Sequence, residues 1–187
     1  AGRQFAERLA AERGLRPGGF LACVPATRWT SKQYPARHWR AVVTELAKDV
    51  PVALLGGPGD RPLCAAIAAG QGPGVVNLAG QTSVAELVGA IAASAGVLCC
   101  DSAAKFIAPA VGVDAVVLIG PTRPERTGPW PRGWAVVADV PCQGCLRRRC
   151  GHCTCMELLA PRRVVAAARH LLTGEPAPCL ITTSSNA

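Results

Sequence analysis

Four unbroken apolar runs decide most of what this chain can fold into: Phe20-Leu-Ala-Cys-Val24, Val52-Ala-Leu-Leu55, Gly96-Val-Leu-Cys-Cys100 and Ala115-Val-Val-Leu-Ile119. Each has the length of a strand, and none alternates apolar with polar residues. A strand apolar on both sides needs cover on both faces, which a parallel sheet with crossover helices provides. Helical patterns fill the intervals, over 4–13, 36–46 (opened by Pro35 in its first turn), 61–69, 84–93, 103–111 and 161–172. Ser83 and Glu86 have capping-box spacing at the start of the fourth. Short strands are expected at 75–77 and 135–137. The fold class is therefore α/β, a Rossmann-like parallel sheet with helices on both faces. We divide it into a linker and leading helix at 1–19, a main domain at 20–173 and a disordered polar tail at 174–187.

The 187 residues are half hydrophobic and 17% charged, which suits one domain with a sizeable core. No apolar run reaches the ~18 residues a membrane helix needs. The amphipathic start has no signal peptide and no initiating Met, so the chain reads as a piece of a longer protein. Twenty basic against twelve acidic residues give a net charge of +8, which favours anionic partners. Aromatic residues make up only 4%, too few for the stacking platforms of single-stranded nucleic-acid binders.

In an open parallel sheet, ligands bind outside the carboxyl ends of the strands. There the chain carries Thr27, Arg28 and Lys32, then Gly56-Gly57, then Asp101-Ser102 at a helix start, then Gly120-Pro-Thr-Arg123. Fixed cations, hydroxyls and a helix N-terminus are the parts of a phosphate site. The same residues also serve as ordinary turns and caps. Gly56-Gly-Pro-Gly59 lacks the third glycine of a dinucleotide fingerprint, and its proline removes an amide, so a nicotinamide enzyme is discounted.

Five stretches in order resemble glycosyltransferase family 9. They are Pro25-Ala-Thr-Arg-Trp-Thr-Ser-Lys-Gln-Tyr-Pro35 with Trp39, Leu54-Leu-Gly-Gly-Pro-Gly-Asp60, Asn77-Leu-Ala-Gly-Gln-Thr-Ser83, Cys100-Asp-Ser102, and Ile119-Gly-Pro-Thr-Arg-Pro-Glu-Arg-Thr-Gly-Pro129. The resemblance spans about residues 20–172. It implies one half of a GT-B fold, the half that holds a nucleotide-sugar donor, typically ADP-heptose, for transfer to lipopolysaccharide core or a similar lipid-linked glycan. Lys32 and Asp101 are then the candidate catalytic residues. Thr27, Arg28, Lys32, Gly57, Thr82, Asp101, Ser102, Ala103, Ala104 and Lys105 are the candidate donor-binding set. No metal or other cofactor is required. The general base would lie in a missing N-terminal acceptor domain. The implied location is cytoplasmic, with peripheral contact at the inner membrane and no nucleic-acid partner.

The chain departs from the family pattern in one place. Where the family reads Gly-x-x-His after Asp-Ser, it has Ala103-Ala104-Lys105-Phe106. Lys105 is either an added charge or a solvated helix residue, and Phe106 cannot replace an imidazole. Two other readings follow: a non-catalytic nucleotide-binding or scaffold relative, and a zinc-stabilised nucleic-acid module.

Of ten cysteines, Cys23, Cys64, Cys99 and Cys100 sit in apolar segments as core residues, and Cys179 lies in the tail. The other five crowd into Cys142–Cys155 with His152. That set can serve a structural zinc, reduced loop thiols or disulfides. The adjacent Arg147-Arg-Arg149 is a solvated basic loop or a contact for phosphate or anionic lipid. His38 and His170 lie on predicted helices, and nothing nearby in the sequence makes either a catalytic candidate. Trp39 reads as core, while Trp130 and Trp134 fall in the Pro-rich loop.

Overall fold

A computed structural model describes residues 2–129, 131–174 and 180–182. In chain order they form α1 (Gly2–Arg13), β1 (Leu21–Val24), α2 (Ala36–Leu46), β2 (Val52–Leu54), α3 (Arg61–Ala68), β3 (Val75–Asn77), α4 (Val84–Ala93) and β4 (Gly96–Cys100). There follow α5 (Ala104–Ala110), β5 (Ala115–Leu118), α6 (Pro124–Thr127), β6 (Trp134–Val136), α7 (Thr154–Glu157), α8 (Pro161–Thr173) and β7 (Leu180–Thr182). The strands lie in the order β3-β2-β1-β4-β5-β6-β7. All pairings from β3 through β6 are parallel, and β7 alone runs antiparallel, against β6. This is the 3-2-1-4-5-6 order of Rossmann-like sheets.

The unbroken apolar runs work as expected, since alternate residues of each strand feed opposite faces. Leu21, Cys23, Leu54, Leu98, Cys100 and Leu118 join Trp39, Val43, Ile67 and Val164 on the side of α2, α3 and α8. Ala22, Ala53, Val97, Cys99 and Val117 join Phe5, Leu9, Ile91 and Ala108 on the side of α1, α4 and α5. The stretch 1–19 thus contributes Phe5, Leu9 and Leu15 to the core, and Arg8 pairs with Glu86 of α4 at 3.0 Å. The cysteines read as core residues are buried, and burial pushes the Cys64 and Cys100 thiols up to about 12. They are inert near neutral pH.

The capping box forms: the Ser83 hydroxyl accepts from the Glu86 amide at 3.3 Å, and Glu86 accepts from the Ser83 amide at 2.9 Å. Three elements were not anticipated. The helices α6 and α7 span four residues each, and β7 lies inside the segment read as a disordered tail. Leu-Ile-Thr is a good strand sequence, and it satisfies the otherwise open edge of β6. The rest of that tail after Gly174, including Cys179, lies outside the described residues, as does Trp130.

Candidate functional site

The strand order reverses between β1 and β4. The connections leaving these two neighbours diverge, which opens a crevice at their carboxyl ends. From β1 the chain runs through Thr27 and Arg28 into a single 3-10 turn, Thr30–Lys32. This turn carries Lys32 back toward β4, with its ammonium 4.2 Å from the centre of the Trp29 ring and 2.7 Å from Asp101 Oδ2.

Asp101 is the hub. Its buried carboxylate accepts the Thr122 hydroxyl at 2.6 Å on Oδ2 and the Lys105 ammonium on Oδ1. Its backbone carbonyl accepts the Thr27 hydroxyl at 3.1 Å. One residue therefore ties the loops after β1, β4 and β5 together. Burial alone would raise its pKa, but the hydrogen bonds from Lys105, Lys32 and Thr122 outweigh that and hold the carboxyl below its ordinary range. Asp101 is ionised at neutral pH and keeps both lysines in place.

Beside this hub lies an open groove of about 430 Å³, lined by Thr27, Arg28, Gly56, Gly57, Asp60, Ser102, Ala103 and Ala104 among others. Asp60 Oδ2 accepts the Gly57 amide at 2.8 Å and shapes that wall. A side chain at position 56 would press on Asp60, with its Cβ 2.8 Å from that of Asp60. At the start of α5, Ala103 makes no side-chain cap. The amides of Ala103, Ala104 and Lys105 have no acceptor within the helix, so they are available to an anion. The Ser102 hydroxyl is buried without a partner among the described residues. A buried hydroxyl with no protein partner, beside the first amides of a helix, suits an anionic oxygen.

Six of the expected donor-binding residues, Thr27, Arg28, Gly57, Ser102, Ala103 and Ala104, line one groove. Lys32, Asp101 and Lys105 form the adjoining charged cluster. Thr82 is not among the residues lining the groove, although its hydroxyl is likewise buried without a partner. Lys105 proves to be a buried member of the cluster rather than a solvated helix residue, whereas Phe106 is 58% exposed. Thr122 was placed on the strand-end surface without its bond to Asp101, and Trp29 was missed as a site residue, because both contacts are tertiary.

The cysteine-rich loop packs against this site. The buried Ser31 hydroxyl, next to Lys32, donates to the Arg147 and Arg148 carbonyls at 2.7 and 3.0 Å. The Leu146 amide donates to the Pro121 carbonyl at 2.7 Å, and the Arg148 guanidinium lies 5.0 Å from the Trp29 ring. Cys142, Cys145, Cys150, His152 and Cys155 line one cavity of about 160 Å³. The donor types suit zinc, yet no three such groups lie close enough to hold a metal ion among the described residues. Hydrogen bonds from the backbone around His152 and Cys153 lower the Cys150 pKa, whereas burial raises that of Cys155 to about 11.

The family model for glycosyltransferase family 9 (heptosyltransferase) matches residues 3–154. The chain belongs to this family. It is similar to lipooligosaccharide heptosyltransferase 2 of Campylobacter jejuni, at 28% identity over 167 residues, 85% of this chain and 50% of that protein. The structure of E. coli ADP-heptose lps heptosyltransferase II matches with a TM-score of 0.77 and 21% identity, over 92% of this chain and 51% of that one. E. coli heptosyltransferase WaaC with ADP matches with a TM-score of 0.68 and 18% identity, over 89% and 48%. The family 9 chain described here thus spans about half the length of these relatives, and its fold is the Rossmann-like half of a GT-B glycosyltransferase. Among the described residues, no helix is long and apolar enough to cross a membrane.

Proposed function

We propose that this chain is the donor-binding half of a glycosyltransferase that transfers a heptose or related sugar from an ADP-linked donor to lipopolysaccharide core or a similar lipid-linked glycan. One observation carries the reading: Lys32, anchored on the buried Asp101, stands beside the unsatisfied Ser102 hydroxyl and the free amides opening α5, at the switch point of the sheet. The solved relative with ADP supports the choice of nucleotide.

Breaking the bond between sugar and diphosphate places negative charge on the departing oxygen. Lys32 and the first-turn amides of α5 stabilise that charge from fixed positions, with no reorganisation at the moment of reaction. Ser102 donates its hydroxyl to a phosphate oxygen. Thr27 and Arg28 close the β1 side, and the Gly57 loop leaves room for the nucleoside. The base that deprotonates the acceptor hydroxyl belongs to the N-terminal acceptor half of such an enzyme, so residues 1–187 alone bind donor without transferring sugar. The reading places the protein in the cytoplasm, with the exposed Arg147-Arg-Arg149 meeting the anionic inner membrane. A structural zinc at Cys142–Cys155 requires the thiols to converge further than they do here. Metal analysis of the purified chain reads it, one equivalent supporting it and none overturning it.

The reading is tested by calorimetric titration with ADP, UDP and GDP. Binding of ADP at least tenfold tighter than the other two is expected. Equal affinity for all three would refute an adenine-specific donor site.

A further inference from the structure

Two lysines share one carboxylate in this site, and only one of them is placed to leave it. The side chains of Asp101 and Lys105 are 2% and 5% exposed, and that of Lys32 is 13% exposed. Lys105 is fully engaged, donating to Asp101 Oδ1 and to the Thr127 carbonyl while resting 4.7 Å from the centre of the Phe106 ring. Lys32 holds only Oδ2, shared with the Thr122 hydroxyl, and its other neighbour is the face of Trp29. Among the described residues, neither lysine has another carboxylate within ion-pair distance. The cluster therefore carries one uncompensated positive charge in a region largely closed to water.

Burying such an excess is unfavourable, and an anion arriving at Lys32 cancels it. Without Lys105 the balance changes. Asp101 and Lys32 would then form a neutral pair. A phosphate approaching Lys32 would have to separate that pair and lie near a carboxylate with no other counter-charge.

On the reading of this crevice as the donor diphosphate site, we propose that Lys105 is a positioning residue: it neutralises Asp101 so that the Lys32 ammonium can be given to a phosphate of the ligand. Lys105 itself does not touch the ligand. It acts through Asp101, and this separates it from a plain structural residue, because its importance must vanish when Asp101 loses its charge.

The experiment is a calorimetric cycle with ADP on four proteins: wild type, Lys105→Met, Asp101→Asn and the double variant. Asparagine keeps the shape of Asp101 and an acceptor for Thr122. Lys105→Met is expected to weaken ADP binding at least tenfold in the wild-type background and less than threefold in the Asp101→Asn background. If Lys105→Met does not fold alone, the comparison of Asp101→Asn with the double variant still decides. A tenfold or larger further loss there would overturn the proposal, as would an unchanged affinity in Lys105→Met. Failure of the underlying reading looks different: folded wild type would then not bind ADP at all.

Discussion

Asp101→Ala is expected to destabilise the protein by about 3–5 kcal/mol, the usual cost of removing one partner from a buried ion pair. The substitution leaves the Lys32 and Lys105 ammoniums facing each other across the former carboxylate, with the Thr122 hydroxyl deprived of its acceptor. It also removes the anchor that aims Lys32, so ADP binding should weaken together with stability. The pH dependence follows from the sign of the shift. The folded-state pKa of Asp101 lies below the ordinary carboxylate value of ~3.9, so its contribution to stability is fully present above that value. It disappears as the pH falls through the depressed folded pKa. Chemical denaturation at neutral and at acid pH should therefore show the gap between wild type and Asp101→Ala narrowing in acid. A gap that stays constant, or a variant as stable as wild type at neutral pH, would show that the carboxylate does not hold the cluster.

Trp39→Ala is expected to destabilise by about 3–5 kcal/mol, as for other buried Trp or Phe truncations. Trp39 is fully buried on α2, and its ring meets that of Tyr34 edge-on at 5.8 Å and 80°. Tyr34 is in turn fixed by its hydroxyl, which donates to the Leu159 carbonyl at 2.7 Å. Tyr34 lies two residues after the Thr30–Lys32 turn, so the void would also remove the ring contact that holds the segment leaving that turn. At about 2–4 °C per kcal/mol for a domain of this size, the melting temperature should fall by about 6–20 °C. Trp39→Phe fills most of the space and should cost less. A drop under about 3 °C for the alanine variant would mean that α2 collapses onto the sheet without loss.

The central strands were legible because parallel strands covered on both faces read as unbroken apolar runs. Helix α4 was legible to the residue because Ser83 and Glu86 mark its first turn chemically. By contrast, α6 and α7 are single turns whose stability comes from packing rather than from their own sequence. Three residues of β7 inside a polar, proline-containing segment gave no periodicity to read, and their strand state depends on the open edge of β6. The candidate site was legible through the rule that strand ends carry ligands, which put Thr27, Lys32, Asp101 and Ser102 on one surface, and the structure brings these residues together. It did not resolve Lys105, although the spacing of four between Asp101 and Lys105 was the available signal. Thr122 meets Asp101 across twenty-one positions, and no local pattern encodes that.

On the function proposed above, the crevice between β1 and β4 binds a nucleoside diphosphate through Lys32. Calorimetric titration of ADP into wild type and into folded Lys32→Ala tests it most directly. One charge-assisted hydrogen bond is worth about 1.5–3 kcal/mol, so the variant should bind about 10- to 100-fold more weakly, with one site per wild-type chain. Equal ADP affinity in the two proteins would mean that the diphosphate is held somewhere that Lys32 does not reach, and would refute its role.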